Sequence, residues 1–483
     1  MCMTPVQTRL IEILSTKLPP RAIVTDRDAI APLETDWRGR WHGHAPVMFQ
    51  PASTEEVAAI VSAAASLGVP LVPQGGNTSM VGGATPPADG GAAILSTRRM
   101  NAIRALDAEA GLAVVEAGVI LSDLHAAALA VGRRFPLSLG AKGSATVGGL
   151  VSTNAGGTQV LRFGTMRGLV AGLEIVLPDG QIHDGLAALK KDNRGYDLTQ
   201  LMIGGEGTLG IVTAATLRLV PAVAARAVAW IGLADPADAL ALLRRFQRAS
   251  EDVESFELLP GTALEAVLRH IPGARAPLSG AHPWHALVEV TTADPAAPPS
   301  AIVEWVLAAA LSDGLIADAA IAASEAQADA FWRIRESISE VERASGPAAQ
   351  HDISVPIETM PRFIIEAAAR CEARFPGASA FGYGHLGDGN IHFHVRAPAG
   401  AEPKRWMAEE APAVTRFVDD LVVEAGGSIS AEHGIGQMKL TELARLSSPA
   451  RMTALRAIKR AMDPKGIMNP GKLVMLAPEG QGE

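Results

Sequence analysis

The sequence predicts an α+β fold in two domains, and three observations carry that expectation. Short β-rich runs alternate with helical ones from about residue 45 to 220, with glycine turns between them. After Val220-Pro221 the text changes to long alanine-rich helices interleaved with further strands, and the glycines throughout are gathered into a few loops. At 483 residues the chain is also longer than one ordinary core fills.

In the first domain EEVAAIVSAAASLGV has the helical period, while PLVPQ, AAILS, GLAVVEAG and LEIVLPDG read as strands. In the second, DPADALALLRRFQRASE and SAIVEWVLAAAL read as helices, and AWIGLA and HALVEVTT as strands. ARFPGASAFGYGHLGDGNIHFHVRAP follows as strand, turn and strand, and EEAPAVTRFVDDLVVEAGG as a helix closed by glycine. A last helix, SPARMTALRAIKRAMDP, leads into KGIMNPGKL, whose loop chemistry matches the first domain. The expected division is therefore 1–222, 223–450, and a segment 451–483 that returns to the first domain.

A formal charge of −9 and a pI near 5.8 exclude nucleic acid as a main partner, because no basic face is advertised. Cys2 and Cys371 are too few for a disulfide framework or a four-cysteine metal centre. The N-terminal MCMTPVQTRLIEILSTKLPPR carries charges inside its apolar stretch and lacks a cleavage pattern, and no run approaches the roughly eighteen apolar residues of a membrane span. The expectation is a cytoplasmic protein, with peripheral attachment to a membrane through a partner left open.

Three glycine loops ask for a ligand. PLVPQGGNTSMVGGATP places Gly75-Gly76-Asn77-Thr78-Ser79 after a strand, where backbone N–H groups and two hydroxyls suit a diphosphate. Residues 140–168 hold eight glycines, five Ser/Thr hydroxyls before Gln159 and no acidic residue, a composition for wrapping a large polar ligand. In IGGEGTLGIVTAATLRLV, Gly205, Gly207 and Gly210 spell G-x-G-x-x-G, yet a β-branched strand follows where a dinucleotide fold needs a helix N-terminus, so the nicotinamide reading fails.

The chain has 12 histidines and places three of them in FGYGHLGDGNIHFHV. His392 and His394 share a strand face, and the turn Gly387-Asp388-Gly389 folds His385 back beside His392. Two imidazoles and a carboxylate suit a zinc-like divalent ion, and SAEHGIGQMK offers Glu432 with His433 as a proton acceptor. Arg335 and Ser339, four apart in ADAFWRIRESISEVERA, can reach one anionic ligand or form a solvated helix face. Three readings stay open on these residues: a metal-assisted oxidoreductase, a metallohydrolase using the His/His/Glu site, and a protein that senses a ligand without turnover.

Together PQGGNTSMVGG, GAKGSATVGGLVSTNAGG and GGEGTLGIVT resemble the FAD-binding domain of the vanillyl-alcohol-oxidase/p-cresol-methylhydroxylase type. FGYGHLGDGNIHFHV, SAEHGIGQMK and DPKGIMNPGKL resemble its FAD-linked D-2-hydroxy acid dehydrogenase branch, which acts on D-lactate, glycolate or D-2-hydroxyglutarate. The resemblance runs from about residue 45 to 475 and implies a two-subdomain FAD-binding domain with an α+β cap domain built on an antiparallel sheet. It implies FAD contacts at Pro73, Gly75, Gly76, Asn77, Thr78, Ser79, Gly143, Ser144, Thr146, Gly149, Thr153, Asn154 and Gly157, with Glu206, Ile211 and Asn469 further along.

Relatives that bond FAD covalently often carry a histidine in the first loop; Asn77 and Thr78 stand there, so non-covalent FAD is expected. The resemblance further implies metal ligands at His385, His392 and Glu432, with His433 as catalytic base. Arg335, Ser339, Gln350, His394 and His433 would meet the small anionic 2-hydroxy acid. Electrons would pass to an electron-transfer flavoprotein or a quinone, and a homodimer is compatible with the pattern. Two departures bear on the substrate's tail: Gln350 replaces a common lysine, and His394 a common asparagine.

Overall fold

The computed structural model describes residues 3–476, so Cys2 lies outside the described residues. Its contacts divide the chain into two compact units. One takes the chain up to Gly156, Thr165–Pro221 and the chain from Glu432 onward; the other takes Gly157–Gly164 and Ala222–Ala431.

The first unit holds two main sheets. β1 (Ile23–Val24), β2 (Met48–Phe49), β3 (Leu71–Gln74) and β4 (Ala93–Ser96) stand in the order β1-β2-β4-β3, with β2 and β3 parallel to β4. A parallel pair needs a crossover, and the helix Thr54–Leu67 supplies it, capped by the Ser53 hydroxyl and ended by Gly68 at φ 69°. Its Val57, Ile60 and Val61 bury against Leu71, Ile467 and Met468, which is how the C-terminal segment returns to this unit. β5 (Ile103–Asp107), β6 (Leu112–Glu116), β7 (Val170–Val176), β8 (Ile182–Gly185) and β9 (Ile211–Arg218) form an antiparallel sheet in the order β5-β6-β9-β7-β8. The central β9 is buried from Ile211 to Leu217 and follows the G-x-G-x-x-G directly, so the glycines open onto a strand, as the sequence predicts.

The second unit is built on seven antiparallel strands. β10 (Ala225–Leu233), β11 (Val253–Pro260), β12 (Trp284–Thr292), β13 (Asp318–Ile321), β14 (Ala348–Ser354), β15 (Ser379–His385) and β16 (Asn390–Arg396) stand in the order β13-β10-β12-β11-β15-β16-β14. Side-chain alternation gives each face its own character. Phe256, Leu258, Ile391, Phe393 and Val395 point into a core with Phe246, Val303, Ile364 and Val418 of four helices. Trp230, Leu259 and Tyr383 face the other way, against Phe331, Ile334 and Ile338 of the helix Glu325–Ala344. The polar residues at issue lie on this second face.

The contacts assign residues from Glu432 to the first unit, where the sequence expectation draws the return at 451. The reason is local: Ile435, Gly436 and Gln437 bond to Glu206, Gly82 and Val81 of the first unit. Residues 157–164 go the other way. The Gln159 amide donates to Glu254 at 2.7 Å, Ser255 Oγ donates to Thr158 O at 2.8 Å, and Arg162 pairs with Asp252.

Candidate active site

In the first unit, the two leading glycine loops interlock. A Cβ on Gly75 would stand 2.0 Å from Thr146 Oγ1, and one on Gly76 would stand 2.0 Å from Ser144 O, so no side chain fits at either position. Arg98 takes the carbonyls of Gly75 and Gly76 at 3.0 and 3.4 Å. Asn77 and Asn154 are held at φ 56° and 50°, with Asn77 donating to Thr35 O and Asn154 accepting from Arg167 N. Thr146 Oγ1 is buried without a hydrogen-bond partner, while Gly140 and Gly143 have open space around them. An orphaned hydroxyl beside a glycine cradle fits an anionic group held by backbone donors.

The remaining residues expected at the cofactor sort differently. Thr153 Oγ1 donates to Gly149 O of its own helix at 3.0 Å, and Ser79 Oγ accepts from Gly83 N at 2.9 Å. Pro73 lies in β3 against Gly207, the Ile211 side chain is in the unit's core, and Thr78 is half-buried. Gly157 packs with the second unit. Asn469 donates to Gly83 O and Glu206 O, and both Glu206 carboxylate oxygens accept backbone N–H groups, from Ile435 and Gly436 at 2.7 Å each.

In the second unit the β15–β16 hairpin sets the histidines. Tyr383 pairs with His392 and His385 with Asn390, so His385 and His392 are diagonal neighbours on one face, rings 5.6 Å apart and nearly perpendicular. Asp352 of β14 is the cross-strand partner of His392, and Gln350 that of His394. Ala431, the last residue of this unit, donates its N–H to Asp352 O, and Glu432 is the next residue along the chain. Within this unit His385 and His392 supply two imidazoles of the expected ligand set, and Glu432 and His433 follow directly on Ala431 along the chain.

His385 is oriented by a residue the sequence reading missed. Glu257 of β11, wholly buried, sits with Oε1 2.6 Å from His385 Nδ1 and Oε2 2.7 Å from Arg335 Nε. Burial by itself would raise the Glu257 pKa, but His385 and Arg335 outweigh it and hold the carboxyl below its ordinary value. A carboxylate on Nδ1 favours the tautomer whose Nε2 lone pair can bind a metal. The signal in the sequence was a carboxylate inside VESFELLP, a strand buried at every position.

Arg335 and Ser339 do lie on one helix face, and each is oriented by a neighbour. The Arg335 guanidinium stacks 5.2 Å from the centre of the Tyr383 ring, and Ser339 Oγ is 3.1 Å from Tyr383 Oη. One turn on, Glu342 accepts Arg396 on both oxygens at 2.9 and 2.7 Å and stands 3.6 Å from His394 Nδ1. Burial would raise the Glu342 pKa; His394 and Arg396 bring it below the usual range. Tyr383, Glu342, Arg396 and Asp352 thus join the candidate set without having been singled out in the sequence.

Comparison with known proteins accounts for both units. Residues 223–473 match the family described as FAD linked oxidases, C-terminal domain, and residues 45–185 match the FAD binding domain. The chain is 37% identical over 458 residues to a protein named D-2-hydroxyglutarate dehydrogenase, mitochondrial, of Arabidopsis thaliana, covering 95% of this chain and 80% of that one. It is 36% identical over 460 residues to a D-2-hydroxyglutarate dehydrogenase of Xanthomonas citri pv. viticola, covering 95% and 96%. Among solved structures, p-cresol methylhydroxylase with substrate bound superposes with a TM-score of 0.74 at 16% identity, covering 97% of each chain, a likeness of fold.

Proposed function

The chain belongs to the FAD-linked oxidases, in their D-2-hydroxy acid dehydrogenase branch, and from that premise we propose that it oxidises D-2-hydroxyglutarate or a close D-2-hydroxy acid to the 2-oxo acid. The protein is an FAD-dependent oxidoreductase. The observation that carries the substrate class is the juxtaposition of His385 and His392 with Glu257 behind and Arg335 alongside.

FAD, when bound, would supply a two-electron acceptor for the hydride at the substrate's C2, with a protein or quinone as the proposed onward acceptor. A divalent ion such as zinc, held by His385, His392 and Glu432, would supply positive charge beside the substrate hydroxyl and lower its pKa. The protein's own residues do the rest. His433 takes the hydroxyl proton as general base. Arg335 and Ser339, steadied by Tyr383, hold a carboxylate, while Gln350 and His394 face each other across β14 and β16 and set the preference for the substrate's tail.

Anaerobic mixing of the yellow protein with D- and L-forms of 2-hydroxyglutarate and lactate, and with glycolate, tests this reading. Bleaching by a D-acid and not its L-form is expected, fastest with D-2-hydroxyglutarate. His433→Ala should keep FAD yet bleach about 100-fold more slowly or worse, the usual scale for loss of a general base. A protein bleached by no 2-hydroxy acid contradicts the assignment.

A further inference from the structure

Glu206 was expected at the cofactor, yet its carboxylate faces the loop that carries His433. That loop is built tightly into the first unit. Gly434 and Gly436 sit at φ 80° and 50°; a Cβ on Gly436 would lie 2.3 Å from Val81 O, and one on Gly434 would lie 2.8 Å from Glu206 Oε1. Gln437 Nε2 donates to Gly82 O at 2.9 Å and Thr85 O at 3.2 Å, and Leu473 N donates to Gly436 O.

Glu206 itself is fixed from behind. Its N–H donates to Ser152 O at 2.7 Å, its carbonyl accepts Asn469 Nδ2 at 2.7 Å, and its backbone is held at φ 49°, an uncommon setting for a side chain of this size. With the backbone immobile, the two oxygens reach the N–H groups of Ile435 and Gly436, two and three residues past His433. Burial raises the Glu206 pKa and lowers that of Lys472 to about 8, while the Ile435 and Gly436 amides and the Lys472 charge favour the carboxylate.

We infer that Glu206 is a positioning residue for His433: it ties the turn after the base to the glycine loop and so fixes where the imidazole stands. The inference rests on His433 being the base. A bidentate carboxylate on two successive amides does for this turn what a capping residue does for a helix end, and a misplacement of about 1 Å in a catalytic group can cost about 100-fold in rate.

The test uses the FAD-loaded full chain and three variants, His433→Ala, Glu206→Gln and Gln437→Ala. Glu206→Gln keeps the shape but loses one acceptor. It should hold FAD at the parent's ratio of flavin to protein absorbance, reduce flavin about 10- to 100-fold more slowly at saturating substrate, and keep the substrate's apparent Kd within about two-fold. The pH profile of flavin reduction should shift, because the imidazole no longer stands in the parent's surroundings. Gln437→Ala, loosening the same turn without touching Glu206, should move rate and profile the same way by less. Parent rate and profile in Glu206→Gln, or activity lost only in step with FAD, would overturn the inference. Should Glu206→Gln not fold, a Gln437→Ala variant at the parent's rate and profile overturns it. A His433→Ala variant that bleaches at the parent rate removes the base itself and the inference with it.

Discussion

Replacing Glu257 by glutamine removes one buried charge and should weaken both the fold of the second unit and its hold on a metal. The carboxylate is wholly buried and serves Arg335 at 2.7 Å and His385 at 2.6 Å, so the amide deprives a buried guanidinium of the anion it faces. Removing one partner of such a pair costs about 3–5 kcal/mol. For a unit of this size each kcal/mol is worth about 2–4 °C, so the melting midpoint should fall by roughly 6–20 °C. An amide NH₂ facing Nδ1 also favours the tautomer with its proton on Nε2, and loss of an orienting carboxylate weakens metal binding about 10- to 100-fold. The pH dependence follows the same charge. Because the folded pKa lies below the unfolded value near 4, the carboxylate's stabilisation is present above that value and is lost as the pH falls through the folded pKa. Thermal melts of parent and Glu257→Gln from pH 3 to 8, with metal titrations at pH 7, check all three. A variant with the parent's melting midpoint and metal affinity at pH 7 would refute the reasoning.

Gly76→Ala puts a Cβ 2.0 Å from Ser144 O, which forces the two loops apart; at about 1–3 kcal/mol for such overpacking, FAD should bind about 5- to 160-fold more weakly by flavin fluorescence titration. Gln350→Lys adds an ammonium opposite His394, so the KM for D-2-hydroxyglutarate should fall by about ten-fold while that for D-lactate stays level in steady-state assays. Burial pushes the Cys371 thiol up to about 12, so peptide mapping after alkylation of the native protein at pH 8 should find Cys371 unmodified, and labelled only in denaturant.

Much of the architecture was legible because its signals are local. The Gly75-Gly76 turn, the strand after Gly210 and the diagonal pairing of His385 with His392 each follow from residues within a few positions of one another. What escaped depends on distant partners. Glu257 meets His385 across 128 residues of sequence, and a carboxylate in an apolar strand announces neither its partner nor its charge. Glu206 sits in a glycine motif that invites a cofactor role, yet the amides it accepts lie 229 and 230 residues away. The same long-range bonds draw the residues after Ala431 into the first unit, which a change of composition at 451 does not mark.

The most direct single measurement is metal-dependent flavin reduction. Protein stripped by a chelator but still holding FAD should bleach with D-2-hydroxyglutarate at a small fraction of the parent rate, and the rate should recover linearly with added zinc or manganese to a plateau at one ion per chain. Full-rate bleaching by the stripped protein, with no metal bound, would contradict the account.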